Sequence, residues 1–146
     1  MLRRAILWFV ATLGLVSALP WAAYWLGLSA VSHYPLPPSQ ALSADQREWV
    51  GSLASVSGNP AIAPLTPYSY LYDLFAQQGK AEAGPRVIWW VASDHLSDQH
   101  TGQGMLWRHL AGASLTIWLS RNWTDQQILA AAFVALEHRG EVYGRD

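Results

Sequence analysis

VIWWVASDHLSDQHTG, residues 87 to 102, begins as an unbroken apolar run and ends in a cluster of two aspartates and two histidines. No polar stripe interrupts the run before Ser93. A helix that is apolar almost all round is one buried in the middle of its domain, so the run predicts a central helix over residues 87 to 97. TGQG, 101 to 104, then breaks the chain. The polar cluster at the helix's end raises the question of whether chemistry is done there.

The chain on the N-terminal side of this helix has a different character. MLRRAILWFVATLGLVSALPWAAYWLGL carries no charge from Ala5 to Leu28. At a helical rise of ~1.5 Å per residue that stretch is long enough to cross a bilayer core. Residues 1–28 therefore read as a transmembrane anchor. Arg3 and Arg4 flank its short side, which by the positive-inside rule leaves the N-terminus in the cytoplasm and everything after Leu28 outside. Trp21, Tyr24 and Trp25 would form the outer aromatic belt. A cleaved signal peptide is the alternative, disfavoured by the length of the run and by the bulky residues that follow Pro20. In a bacterium this is a single-pass inner-membrane protein with a periplasmic C-terminal domain.

HYPLPPSQAL, 33 to 42, has three prolines in four positions and so should be extended. Residues 29–42 read as a Pro-rich stalk and 43–146 as the domain. Ser43 and Gln46 have the spacing of a capping box, with Trp49, Val50, Leu53 and Ala54 following at helical spacing. Thr66 followed by Pro67 opens a second helix that Gly79 ends. Beyond the central helix, MLWRHLAG reads as a short helix leading into ASLTIWLSRNW. Thr124 and Gln127 form another capping box before DQQILAAAFVALEHRG, an amphipathic helix stopped by Gly140. The fold class is mainly α.

Composition excludes several functions. Nine basic residues against ten acidic ones, with no cluster, cannot track a phosphate backbone, so nucleic acid is excluded as a partner. The absence of cysteine excludes a disulfide scaffold and any thiolate metal site. Nine tryptophans suit a protein at a membrane or along a broad groove, because an indole favours a place with one apolar and one wet edge.

Residues 87 to about 139 resemble the donor-site half of the peptidoglycan glycosyltransferases, the family 51 transglycosylases that include the N-terminal domain of class A penicillin-binding proteins. That family's buried helix ends E-D-x-x-F-x-x-H-x-G, and SDHLSDQHTG places Asp94, His100 and Gly102 at matching spacings. Its G-A-S-T-I-T-Q-Q-L-A-[KR]-N is similar to GASLTIWLSRN, which keeps Gly112, Ala113, Ser114, Leu119, Arg121 and Asn122. The resemblance implies a lysozyme-like helical fold and hence helix over 112 to 122. It also implies substrate-binding roles for Asp94, His100, Ser114, Arg121 and Asn122, with no cofactor.

The departures fall on the chemistry. Ser93 stands where the family has its catalytic glutamate, and a serine hydroxyl with no adjacent base cannot deprotonate a sugar hydroxyl. The second family glutamate falls at about Ala130 or Ala131, and Trp118 replaces part of the glutamine pair. The stretch from His100 to Gly112 is much shorter than in the family. These losses imply a degenerate, catalytically silent domain of the cell envelope that binds peptidoglycan, lipid-linked precursor or a cell-wall synthesis partner. Two other readings stand beside it: an active glycosyltransferase or glycan-cleaving enzyme using Asp94, and a structural subunit of a membrane complex.

Blander readings apply to single residues. Asp94 and Asp98, one turn apart, have glycosidase-like spacing, but aspartates at helix ends are usually solvated or capping. His95, Asp98 and His100 lack the spacing of a metal-binding helix face, so no metal is expected. Neither Ser93 nor Ser114 sits in a nucleophile elbow; Ser114 is expected to pack or cap a helix start. Asn122-Trp123-Thr124 matches a glycosylation sequon whose threonine already has a capping role. Trp89, Trp90, Trp107, Trp118 and Trp123 are expected in the core, with a sugar-stacking surface as the alternative. Asp94, about 100° round the helix from Ser93, should point away from the place where a base is needed.

Overall fold

The structure is a computed structural model that describes residues 2–54, 60–76, 82–97, 99 and 104–141. Among these the regular elements are six helices and no strand: α1 (Leu2–Ser29), α2 (Ala44–Leu53), α3 (Pro67–Ala76), α4 (Ala83–Ser97), α5 (Met105–Asn122) and α6 (Asp125–His138). Gly79, Asp98, His100 and Gly102 lie outside the described residues.

The helix starts follow the local chemistry of the sequence. At Ser43 and at Thr124 the side-chain oxygen accepts from the backbone N–H three residues on, and the glutamine there returns a bond to the cap's own N–H. Thr66 and Ser69 do the same for α3: Ser69 N–H donates to Thr66 Oγ1 at 3.0 Å, and Thr66 N–H donates to Ser69 Oγ at 2.8 Å. Each pair satisfies donors that a helix N-terminus otherwise leaves without partners.

Helix α4 is the central element expected, packed against both α5 and α6. Val87, Ile88, Val91, Ala92 and Leu96 are buried in one core with Leu115, Leu119, Ile128, Phe133 and Leu136. The tryptophans do not share that core. Trp89, Trp90, Trp118 and Trp123 are half-buried and Trp107 is exposed. An indole fills a helix-helix seam poorly but covers its rim well, with its N–H left in water. Trp49 likewise packs edge-on to Phe133 at the rim between α2 and α6, with ring centroids 5.3 Å apart.

No break separates MLWRHLAG from ASLTIWLSRN: α5 is one helix of 18 residues. Burial overrides the β-branched propensity of Thr116 and Ile117, and the Thr116 hydroxyl is satisfied by the Gly112 carbonyl at 2.8 Å. Ser114 therefore lies in mid-helix and not at a helix start. Small residues let two helices approach α5 closely. A Cβ on Gly27 of α1 would lie 2.6 Å from the Leu110 carbonyl oxygen, and one on Gly112 would lie 2.8 Å from the ring of Trp89.

The first helix thus has two parts. Its large apolar residues from Ile6 to Leu19 are exposed, and a span of 24 residues, Ile6–Ser29, is long and apolar enough to cross a membrane. Its last turns belong to the domain, with Tyr24 and Leu28 in the core together with Val31 just beyond. The segment after α1 is extended, as its prolines dictate, but it is no free stalk. Gln99 Oε1 accepts from Ser32 N–H at 2.9 Å, and Gln99 Nε2 donates to the His33 carbonyl at 3.1 Å. The Tyr34 ring lies 4.6 Å from that of Trp118, measured between centroids.

Candidate functional site

Ser93 and Asp94, on the last turns of α4, face an open cleft of about 600 Å³. Ser97, Arg108 at the start of α5, and His138 and Arg139 at the end of α6 complete its walls. Asp94 does not turn away from the place of Ser93. Adjacent residues on a helix diverge by about 100°, yet a wide groove between α4 and α6 takes in both. His138 Nδ1 lies 3.2 Å from Asp94 Oδ2, an ion pair whenever the imidazole is protonated. Arg139 donates to the Ser93 hydroxyl and, at 3.3 Å, to the Trp90 carbonyl.

The cleft has two guanidinium groups and one carboxylate, a formal excess of one positive charge with His138 neutral. Its hydroxyls are committed to helix backbone: Ser93 Oγ donates to the Trp90 carbonyl at 3.1 Å, and Ser97 Oγ donates to the Asp94 carbonyl at 2.6 Å. Among the described residues no serine is bonded to His138, whose ring partner is Asp94. Nor does any group of three His, Asp or Glu side chains among them converge as a metal site.

The remaining residues expected at a substrate site lie elsewhere. Ser114 is buried at the crossing of α1 and α5, its hydroxyl filling the space over Gly27. Arg121 and Asn122 are exposed at the end of α5, where the Asn122 amide donates to the Trp118 carbonyl at 2.7 Å. None of the three lines the cleft, and His100 falls outside the described residues. His95 is a structural histidine, with Nε2 2.8 Å from the His33 carbonyl.

Sequence reasoning missed Arg108, His138 and Arg139. The local signal for the last two was a histidine and an arginine at the end of α6, which ordinarily complement a helix C-terminus. Arg108 had none.

A second cavity, of about 460 Å³, opens between α3, α4 and α5. Tyr70, Leu74, Pro85, Trp89 and Ala113 give it apolar walls. Asp73, Arg86 and His109 are its polar groups, and the His109 ring stacks on Trp89 with centroids 6.3 Å apart. Burial pushes the Tyr70 phenol above its usual range.

No family model, no curated protein and no solved structure matches this chain.

Proposed function

We propose that this protein is a membrane-anchored binding protein of the bacterial cell envelope, a glycosyltransferase-like domain that holds an anionic, lipid-linked glycan precursor without polymerising it. In this reading α1 crosses the inner membrane with its N-terminus in the cytoplasm and the domain in the periplasm. The observation that carries the binding role is the cleft beside Ser93, where Arg108 and Arg139 outnumber the single carboxylate. Charge-assisted bonds from two guanidinium groups suit a phosphate-bearing ligand.

The same residues argue against turnover. At the position of the general base stands a serine whose oxygen accepts from Arg139, and a cation beside it opposes proton uptake. Asp94 is the nearest carboxylate, and it is bonded to His138.

The full chain in detergent should bind lipid-linked disaccharide pyrophosphate and give no glycan polymer from it. Arg108→Ala with Arg139→Ala should weaken binding at least about tenfold, as expected for two charge-assisted contacts. Undiminished binding by the double variant would refute the role of the cleft. Polymer that forms with the native chain and disappears in Asp94→Asn would replace this reading with the enzyme.

A further inference from the structure

The outward face of α3 is apolar in a place where water would penalise it. Tyr68, Leu71, Tyr72, Leu74 and Phe75 are exposed, Phe75 by 74%. The helix has one charged residue, Asp73, and that side chain lines the cavity shared with α4 and α5. Its small polar groups are spent internally, because Thr66 and Ser69 bond each other across the helix start. These five exposed residues thus present a broad apolar and phenolic surface with no charge among them, the composition of a helix lying in a bilayer interface.

The position of α3 along α1 says what covers that surface. The Tyr68 hydroxyl donates to the carbonyl of Ser17, and α3 packs on α1. Ser17 lies 12 residues before the end of the apolar span at Ser29, about 18 Å along the helix axis. Trp21 and Trp25, the exposed indoles suited to a headgroup layer, come about one to two turns after it. A segment bonded to Ser17 is therefore held at or below the level of those indoles, beside the lipid-facing part of α1.

We propose that α3 is a second membrane-contacting element, seated in the leaflet on the domain's side with Leu71, Tyr72 and Phe75 among the lipid tails. The domain then sits partly immersed, and the cavity walled by Tyr70, Leu74 and Trp89 opens at the lipid interface and not into bulk water. This rests on α1 crossing the bilayer, and the experiment separates the two claims.

The chain has no cysteine, so single substitutions can each carry one environment-sensitive dye. Full-length Phe75→Cys, Leu13→Cys and Gln126→Cys variants would be labelled with nitrobenzoxadiazole. They would be reconstituted in vesicles of phosphatidylethanolamine and phosphatidylglycerol, with and without a nitroxide on the lipid tail near the glycerol. Gln126, exposed at the start of α6, reports water. The expected result is blue-shifted emission and several-fold quenching at positions 13 and 75, with neither at 126. Quenching at 13 with a water-like, unquenched signal at 75 would overturn the role of α3 and leave the anchor intact; a protein partner on that face would give the same pattern. Loss of quenching at both positions would overturn both claims.

Discussion

Gly27→Ala tests whether α1 is part of the domain or merely its tether. An ideal Cβ there meets Ser114 Oγ at 2.1 Å, the Leu110 carbonyl oxygen at 2.6 Å and Ser114 Cβ at 2.9 Å. The hydroxyl can swing aside, but the carbonyl is helix backbone. Restoring ordinary contact with it requires α1 and α5 to part by roughly 1 Å along one of the most extensive helix contacts in the fold. Forcing an added methyl into such a seam costs ~1–3 kcal/mol, and the gain in helix propensity on replacing glycine offsets roughly 0.5–1 kcal/mol. The net loss is about 1–2 kcal/mol, a fall in melting temperature of roughly 3–8 °C for a chain of this size. Gly14→Ala is the internal control, because nothing lies within 4 Å of a Cβ at Gly14. Thermal unfolding of the full chain in detergent micelles, followed by circular dichroism, should leave Gly14→Ala at or slightly above the wild type and Gly27→Ala below it. Equal melting of all three would refute close packing of α1 on α5.

A chain starting at residue 30 lacks Tyr24 and Leu28 and uncovers the side of α5 that bears Ser114; it should aggregate and melt without cooperativity, whereas a tether would leave a monomeric, folded domain on size exclusion. Gln99→Ala removes its two bonds to residues 32 and 33, leaving that of His95, and should cost ~1–2 kcal/mol while accelerating amide exchange at Ser32. Because burial raises the Tyr70 phenol in the folded protein, the unfolded chain ionises first: stability is full below about pH 10 and falls as pH rises beyond it. Denaturant unfolding at pH 9 and 11 should show a smaller alkaline loss in Tyr70→Phe than in the wild type.

Features encoded over three or four residues were legible in the sequence. The capping boxes at Ser43 and Thr124 read correctly because cap and partner are neighbours, and so did the cap at Thr66, although its partner Ser69 did not. The apolar run at 87 to 92 identified α4 as central because a helix without a polar face has nowhere else to go. What depended on a partner far along the chain was not legible. Periodicity says that Trp89 and Trp90 cannot face water entirely, but not that Gly112 seats the ring of one and leaves both at the rim. It says nothing of Arg139 reaching Ser93 across 46 positions, or of Arg108 entering the same cleft. The prolines of 35 to 38 show an extended backbone, yet whether it is loose or held is decided by Gln99 and His95.

The packing of Gly27 onto Ser114 fixes the last turns of α1 to the domain, so that the two turn together. A helix advances about 1.5 Å and turns about 100° per residue. Every residue between Arg4 and Gly27 therefore sets both the height of the domain above the arginines at the start of α1 and the compass direction in which its cleft faces. One residue inserted near Gly14 would keep the anchor apolar and α3 docked on its own stretch of α1, yet swing the cleft by more than a quarter turn about the α1 axis. The length of the anchor is thus an angular setting. Two such proteins differing only by a residue in α1 would present their clefts to different neighbours in the same membrane.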